Sequence, residues 1–116
     1  MDSIRVITTS IQGLYILETT RIKDSRGDFV KIFSSSVFLK NSLGTNFKES
    51  YYSFSKKHVI RGMHFQLPPH EHAKLVYVPN GSIIDVVLDL RIDSPTYGKF
   101  EQIRLNEKNG TALYIS

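Results

Sequence analysis

Short runs of β-branched and aromatic residues alternate with polar residues along most of the chain, and turn residues separate them at close intervals. Residues 3–7 (SIRVI) and 13–18 (GLYILE) read as two strands around Gln12 and Gly13. Residues 23–27 carry turn chemistry, since Asp24, Ser25 and Gly27 all suit a tight reversal, and a strand over 29–34 follows. The one helical pattern is 36–43 (SVFLKNSL), where Phe38, Leu39 and Leu43 share a face and Gly44 supplies a stop. From Phe47 onward the pattern returns to strands. Tyr51, Ser53 and Ser55 alternate with Tyr52 and Phe54, Lys56 and Lys57 make a basic turn, and 59–66 reads as a central strand. Residues 75–78 and 83–90 flank Pro79, Asn80 and Gly81, which predicts a hairpin. In its second arm Ile84, Val86, Leu88 and Leu90 make one face and Ile83, Asp85, Val87 and Asp89 the other, so one face is core and the other mixed. A turn at 94–98 (SPTYG) leads to two last strands, 100–105 and 112–115. About eight short strands at this spacing predict an all-β antiparallel sandwich or barrel rather than a βαβ sheet.

The stretch at 58–66 (HVIRGMHFQ) concentrates candidate chemistry. Regular alternation puts Arg61 and His64 on opposite faces. A bulge or kink at Gly62, a common role for a lone glycine in a strand, brings both into one cavity, and a strand regular through Gly62 keeps them apart. His64 alone reads more readily as a satisfied, partly buried histidine than as a catalyst. Its company changes the balance. Arg61, Lys74 and Asp85 occupy predicted strands that can converge inside a small barrel, where each charge needs a partner or a ligand. There a histidine can take a proton while neighbouring cations hold an oxyanion.

At 116 residues and 13.3 kDa the expectation is a single domain, 1–116, with a modest core. With 41% hydrophobic and 22% charged residues the usage is that of a globular chain, which argues against disorder. The net charge of +4 favours an anionic ligand, but the lysines and arginines are scattered, which argues against a nucleic-acid partner. Cysteine is absent from the sequence, so disulfides and thiolate metal sites are excluded, and a reducing compartment suits the chain. Neither the apolar core of a signal peptide nor a run long enough for a membrane span is present, and the expectation is a soluble cytoplasmic protein.

His58, His64, His70 and His72 raise the question of a metal. The spacing from Gly62 to Gly81 resembles the metal-binding pattern of cupin barrels, but its ligand positions read Pro68, His70 and Lys74. One imidazole remains, and a lysine in place of the carboxylate repels a cation, so no catalytic metal is expected there. His70 and His72, beside Pro68 and Pro69, read as exposed loop residues.

DSRGDF at 24–29, VIRGMHFQ at 59–66, AKLVYVPNGSIIDVVLDLR at 73–91 and SPTYG at 94–98 resemble the dTDP-4-dehydrorhamnose 3,5-epimerase family, the RmlC-like cupins, in register over nearly the whole chain. The resemblance implies a cupin or jelly-roll β-barrel, usually homodimeric, that needs no cofactor or metal. It also implies inversion of centres flanking the 4-keto group of a nucleotide-linked sugar. By the same resemblance His64 matches the general base and Lys74 the lysine near the sugar's C4 oxygen. Arg26 and Arg61 match arginines that contact the substrate. The lysine that spoils the metal pattern then takes over the metal's electrostatic role.

Lys31, Glu49 and Tyr51 stand where the family usually carries glutamate, glutamine and asparagine. The base, the sugar or the number of centres inverted can differ accordingly. The family continues past 113–116 with a proline, a glycine–histidine motif, the tyrosine that serves as acid and the aspartate that partners the base. This sequence stops at Ser116, so the expectation is a barrel lacking its last strands, a truncated form or fragment. Two functions follow as alternatives: an epimerase acting on a nucleotide sugar, or a non-catalytic cupin that binds one or serves as an interaction module.

Overall fold

The computed structural model describes residues 4–68 and 71–116. Alternating side chains build a four-stranded antiparallel sheet from β1 (Ile4–Thr8), β2 (Leu14–Thr19), β5 (Lys74–Tyr77) and β8 (Thr111–Ile115), in the order β1-β2-β8-β5. Two antiparallel ribbons accompany it: β3 (Arg21–Asp24) with β4 (Gly27–Val30), and β6 (Ser82–Leu88) with β7 (Phe100–Asn106). The expected antiparallel, nearly all-β class is the class observed.

Each face of the four-stranded sheet has its own core. Ile4, Leu17, Ala112 and Tyr114 point to one side, where α1 (Ser35–Lys40) lays Val37 and Phe38 against them. Phe33 and Phe47 meet the Phe38 ring edge-on, with centroids 4.8 and 6.4 Å away. Tyr114 closes this side, because its hydroxyl accepts a hydrogen bond from the Gly44 amide at 2.8 Å. Leu14 and Leu113 point to the other side and pack with Leu105 of β7, flanked by Ile16, Val76, Val87 and Ile103. The β6–β7 ribbon therefore stacks face-on against the sheet, with a cleft of mixed polarity between them.

Several predicted elements shift. The helix forms over Ser35–Lys40, but Leu39 is 65% exposed and Val37 takes the inward position. A helix of 6 residues is too short for the 3.6-residue period to define one face, so spacing alone does not select the buried pair. The hairpin predicted around Pro79, Asn80 and Gly81 is a corner instead: β5 pairs with β8, and β6 pairs with β7. Gly81 adopts φ +92° there, and its carbonyl accepts from the Glu107 amide at 3.0 Å. Turn residues specify a reversal but not the partner of each arm, and β8 already occupies the edge of β5. In β6 the inward face is the one bearing Asp85 and Val87, while Ile84, Val86 and Leu88 face outward. The strands predicted over 51–55 and 59–66 are irregular backbone, exposed throughout. Gly62 does break the extended path, with φ +137°.

The loop after β6 is organised by one buried carboxylate. Asp89 accepts from the Arg91 amide and Nε, each at 3.0 Å, and from the Ser94 and Thr96 hydroxyls, each at 2.6 Å. Arg91 also donates to the Gln12 carbonyl, and the Gln12 amide donates to Thr96 Oγ1, so the loop is tied to the β1–β2 turn. The Arg91 guanidinium, helped by the two hydroxyls, holds the Asp89 carboxyl well below the usual carboxylate range despite its burial.

Replacing Asp89 with Ala leaves these donors without their acceptor and is expected to cost about 2–4 kcal/mol, measured by urea unfolding. Because the folded state lowers the Asp89 pKa, its stabilisation is present above the ordinary carboxylate pKa and is lost as pH falls through the folded value. The gap between wild type and Asp89→Ala should therefore narrow in acid. Tyr114→Phe removes one buried hydrogen bond and is expected to cost about 1 kcal/mol in the same assay.

Candidate functional site

Strand register decides which charges enter the cleft between the sheet and the β6–β7 ribbon. In β5, Lys74 lies opposite Ile115 and Val76 opposite Leu113, the residues that pack toward the ribbon. Lys74 thus faces the cleft and is half-buried. In β6, Asp85 lies opposite Ile103 and on the same face as Val87, so it enters the cleft from the other wall. Burial raises the Asp85 carboxyl above its ordinary value, and the positive charge of Lys74 partly offsets that rise. An ammonium and a carboxylate held among Val76, Val87 and Ile103 interact more strongly than they would in water.

The other charges near this cleft are already engaged. Glu101, opposite Val87, accepts from the Ser10 hydroxyl at 2.6 Å. Asp89 is bound to Arg91, Ser94 and Thr96. Among the described residues, Lys74 and Asp85 are the charges on the facing walls left to meet a polar ligand.

The four residues singled out in the sequence do not share one pocket here. Arg26 sits at the tip of the β3–β4 ribbon, 88% exposed on its side chain, and forms a two-pronged pair with Asp24 whose shortest contact is 2.6 Å. That hydrogen-bonded contact lowers the Asp24 carboxyl and raises the Arg26 guanidinium. Arg61 and His64 lie on the exposed connection between α1 and β5, and Arg61 Nε donates to Ser55 Oγ at 3.0 Å. Lys74 alone of the four faces the cleft. A cavity of about 290 Å³ between the β3–β4 ribbon and the β7–β8 turn is lined by Arg21, Asp28, Tyr77 and Glu107, among others, and includes none of the four.

Among the described residues no three His, Cys, Asp or Glu side chains gather where they could hold a metal ion. His70 lies outside the described residues, and His72 is exposed. Sequence reading passed over the buried Asp89 network. Its signal is an aspartate followed by arginine two positions on and by Ser94 and Thr96 on the return of the turn, a pattern of donors around one acceptor.

The family model described as dTDP-4-dehydrorhamnose 3,5-epimerase matches residues 8–116. A curated dTDP-4-dehydrorhamnose 3,5-epimerase from Methanothermobacter thermautotrophicus is 38% identical over 115 residues, covering 99% of this chain and 62% of the relative. The crystal structure of dTDP-4-dehydrorhamnose 3,5-epimerase from Sulfolobus tokodaii aligns with a TM-score of 0.91 at 36% identity, covering 99% of this chain and 64% of that one. The Legionella pneumophila epimerase, solved in complex with dTDP-4-keto-L-rhamnose, aligns with a TM-score of 0.89 at 32% identity, covering 97% of this chain and 60% of that one. The chain spans about 60% of the length of the curated relatives it matches. Among the described residues no helix is long and apolar enough to cross a membrane.

Coupling within the cleft is directly measurable. Lys74→Met removes the positive charge that offsets burial, so the Asp85 carboxyl should titrate at higher pH than in wild type. Carboxyl-carbon NMR of labelled protein checks this, and an unchanged Asp85 titration would show that the two groups do not interact.

Proposed function

The chain belongs to the dTDP-4-dehydrorhamnose 3,5-epimerase family and shares the RmlC-like cupin fold, and on that premise we propose that it inverts a centre next to the 4-keto group of a nucleotide-linked 4-keto-6-deoxy sugar. The placement of Lys74 carries this reading. An ammonium facing a partly apolar cleft is suited to the oxyanion that forms when a proton is taken from the carbon beside a ketone. In this reading His64 removes that proton as general base. The electron pair of the broken C–H bond moves into the ring, and the ketone oxygen gains the negative charge that Lys74 holds. A proton from solvent then reaches the carbon from the opposite face as the ketone re-forms, which inverts the centre, and His64 passes its own proton to water. Arg26 and Arg61 supply cations for the sugar and its diphosphate.

His64 has to come over the cleft for this chemistry, so substrate binding and a movement of the 59–66 stretch go together. The reaction as written needs no cofactor or metal. The ligand carried by the Legionella relative supports a nucleotide sugar as the substrate class. We extend the reading to a homodimer, because Ile84, Val86, Leu88 and Phe100 leave the outer face of the β6–β7 ribbon apolar and exposed. A cytoplasmic setting suits a sequence without cysteine.

A second reading, binding without catalysis, is favoured by the exposed positions of Arg61 and His64 and by Lys31, Glu49 and Tyr51. Deuterium wash-in separates the two. Incubating the chain with a dTDP-4-keto-6-deoxyglucose substrate in heavy water should place label at C3 or C5, and His64→Asn should slow that exchange by at least about 100-fold with the far-UV spectrum unchanged. Binding with no exchange above buffer would sink the catalytic reading and support the second. Full exchange in His64→Asn would remove His64 from the role of base.

A further inference from the structure

A neutral residue at position 85 would avoid the burial that works against the Asp85 carboxylate. Its strand places it among Val87 and Ile103, burial raises its carboxyl, and folding is therefore weakened where it must ionise. Asparagine has nearly the same shape and carries no such penalty. The remaining charges on the walls are Glu101, bound to Ser10, and Asp89, bound to Arg91, Ser94 and Thr96. Glu18, on the β2 wall, is paired with Arg5 at 2.6 Å. Lys74 is thus the cation that Asp85 faces across the cleft.

We propose that Asp85 is the positioning residue of Lys74: from the opposite wall its carboxylate holds the ammonium turned into the cleft. This rests on the role given to Lys74 above. Asp85 does not touch the reacting atoms; it acts through the lysine. Without it, the Lys74 side chain loses the opposite charge it faces and can rotate out toward water.

The full chain carrying Asp85→Asn tests the proposal in two ways. Reductive methylation with mass-spectrometric readout follows the reactivity of Lys74 without any turnover. Loss of the facing carboxylate should free the Lys74 amine to turn toward water and raise its labelling rate about tenfold, with the other lysines unchanged. In the deuterium exchange assay the rate should fall about tenfold while substrate affinity is kept. Asp85→Glu, which restores the charge, should bring both readouts back toward wild type. A Lys74 labelling rate in Asp85→Asn equal to wild type overturns the proposal, as does an Asp85→Glu chain that behaves like Asp85→Asn. Should wild type exchange no deuterium, the epimerase reading fails, while the labelling rates still decide whether Asp85 governs Lys74. Removal of a penalised charge should leave Asp85→Asn folded, which thermal unfolding verifies.

Discussion

The two-sided commitment of β8 is the constraint on which the remainder of the structure depends. Thr111–Ile115 pairs with β2 along one edge and β5 along the other. Its side chains alternate between the two cores, Ala112 and Tyr114 toward the helix and Leu113 toward the β6–β7 ribbon. Each fully buried large side chain of this kind contributes roughly 1.5–3 kcal/mol from burial. A slip of one residue would exchange both sets at once, so the register is specified from both faces. Lys74 owes its direction to this arrangement. Opposite Ile115, it must follow Val76 into the cleft.

Much of this fold is legible in period-two patterning, and the exceptions have a common cause. The strands around Gln12–Gly13, the turn at Asp24–Gly27 and the last two strands lie close to where alternation and turn residues put them. The hairpin at Pro79–Gly81 was misjudged because local sequence cannot say that β8, far along the chain, takes the edge of β5. The inward face of β6 was ambiguous because both faces carry branched aliphatics. Its orientation is set by Leu105 and Ile103 on the paired strand. Strand-like sequence over 51–66 did not become a strand here, since β propensity stabilises only where a neighbour supplies pairing and burial.

The site divides along the same line. Lys74 opens a regular strand, and pairing with β8 gives its side chain a direction. Arg61 and His64 occupy irregular backbone, where alternation predicts no direction. Arg26 lies within the turn that the sequence predicts over 23–27, and it is found exposed and paired with Asp24. Asp89 was read only as part of a strand face. Its importance comes from a loop that curls back on it, a closure that no periodicity encodes.

The central position of β8 also bears on how the chain is made. Thr19 donates to the Gly110 carbonyl across 91 positions of sequence, so β1 and β2 emerge from the ribosome long before the strand that lies against them. Until then Leu14 and Leu17 have only the β1–β2 hairpin to shelter them, which is marginal in water. Closure of such distant pairings is slow relative to local ones, and translation delivers residues at about 5–20 per second. The nascent chain therefore spends seconds with its first strands unsatisfied. In that interval the apolar side chains of its first strands lie open to whatever the nascent chain meets.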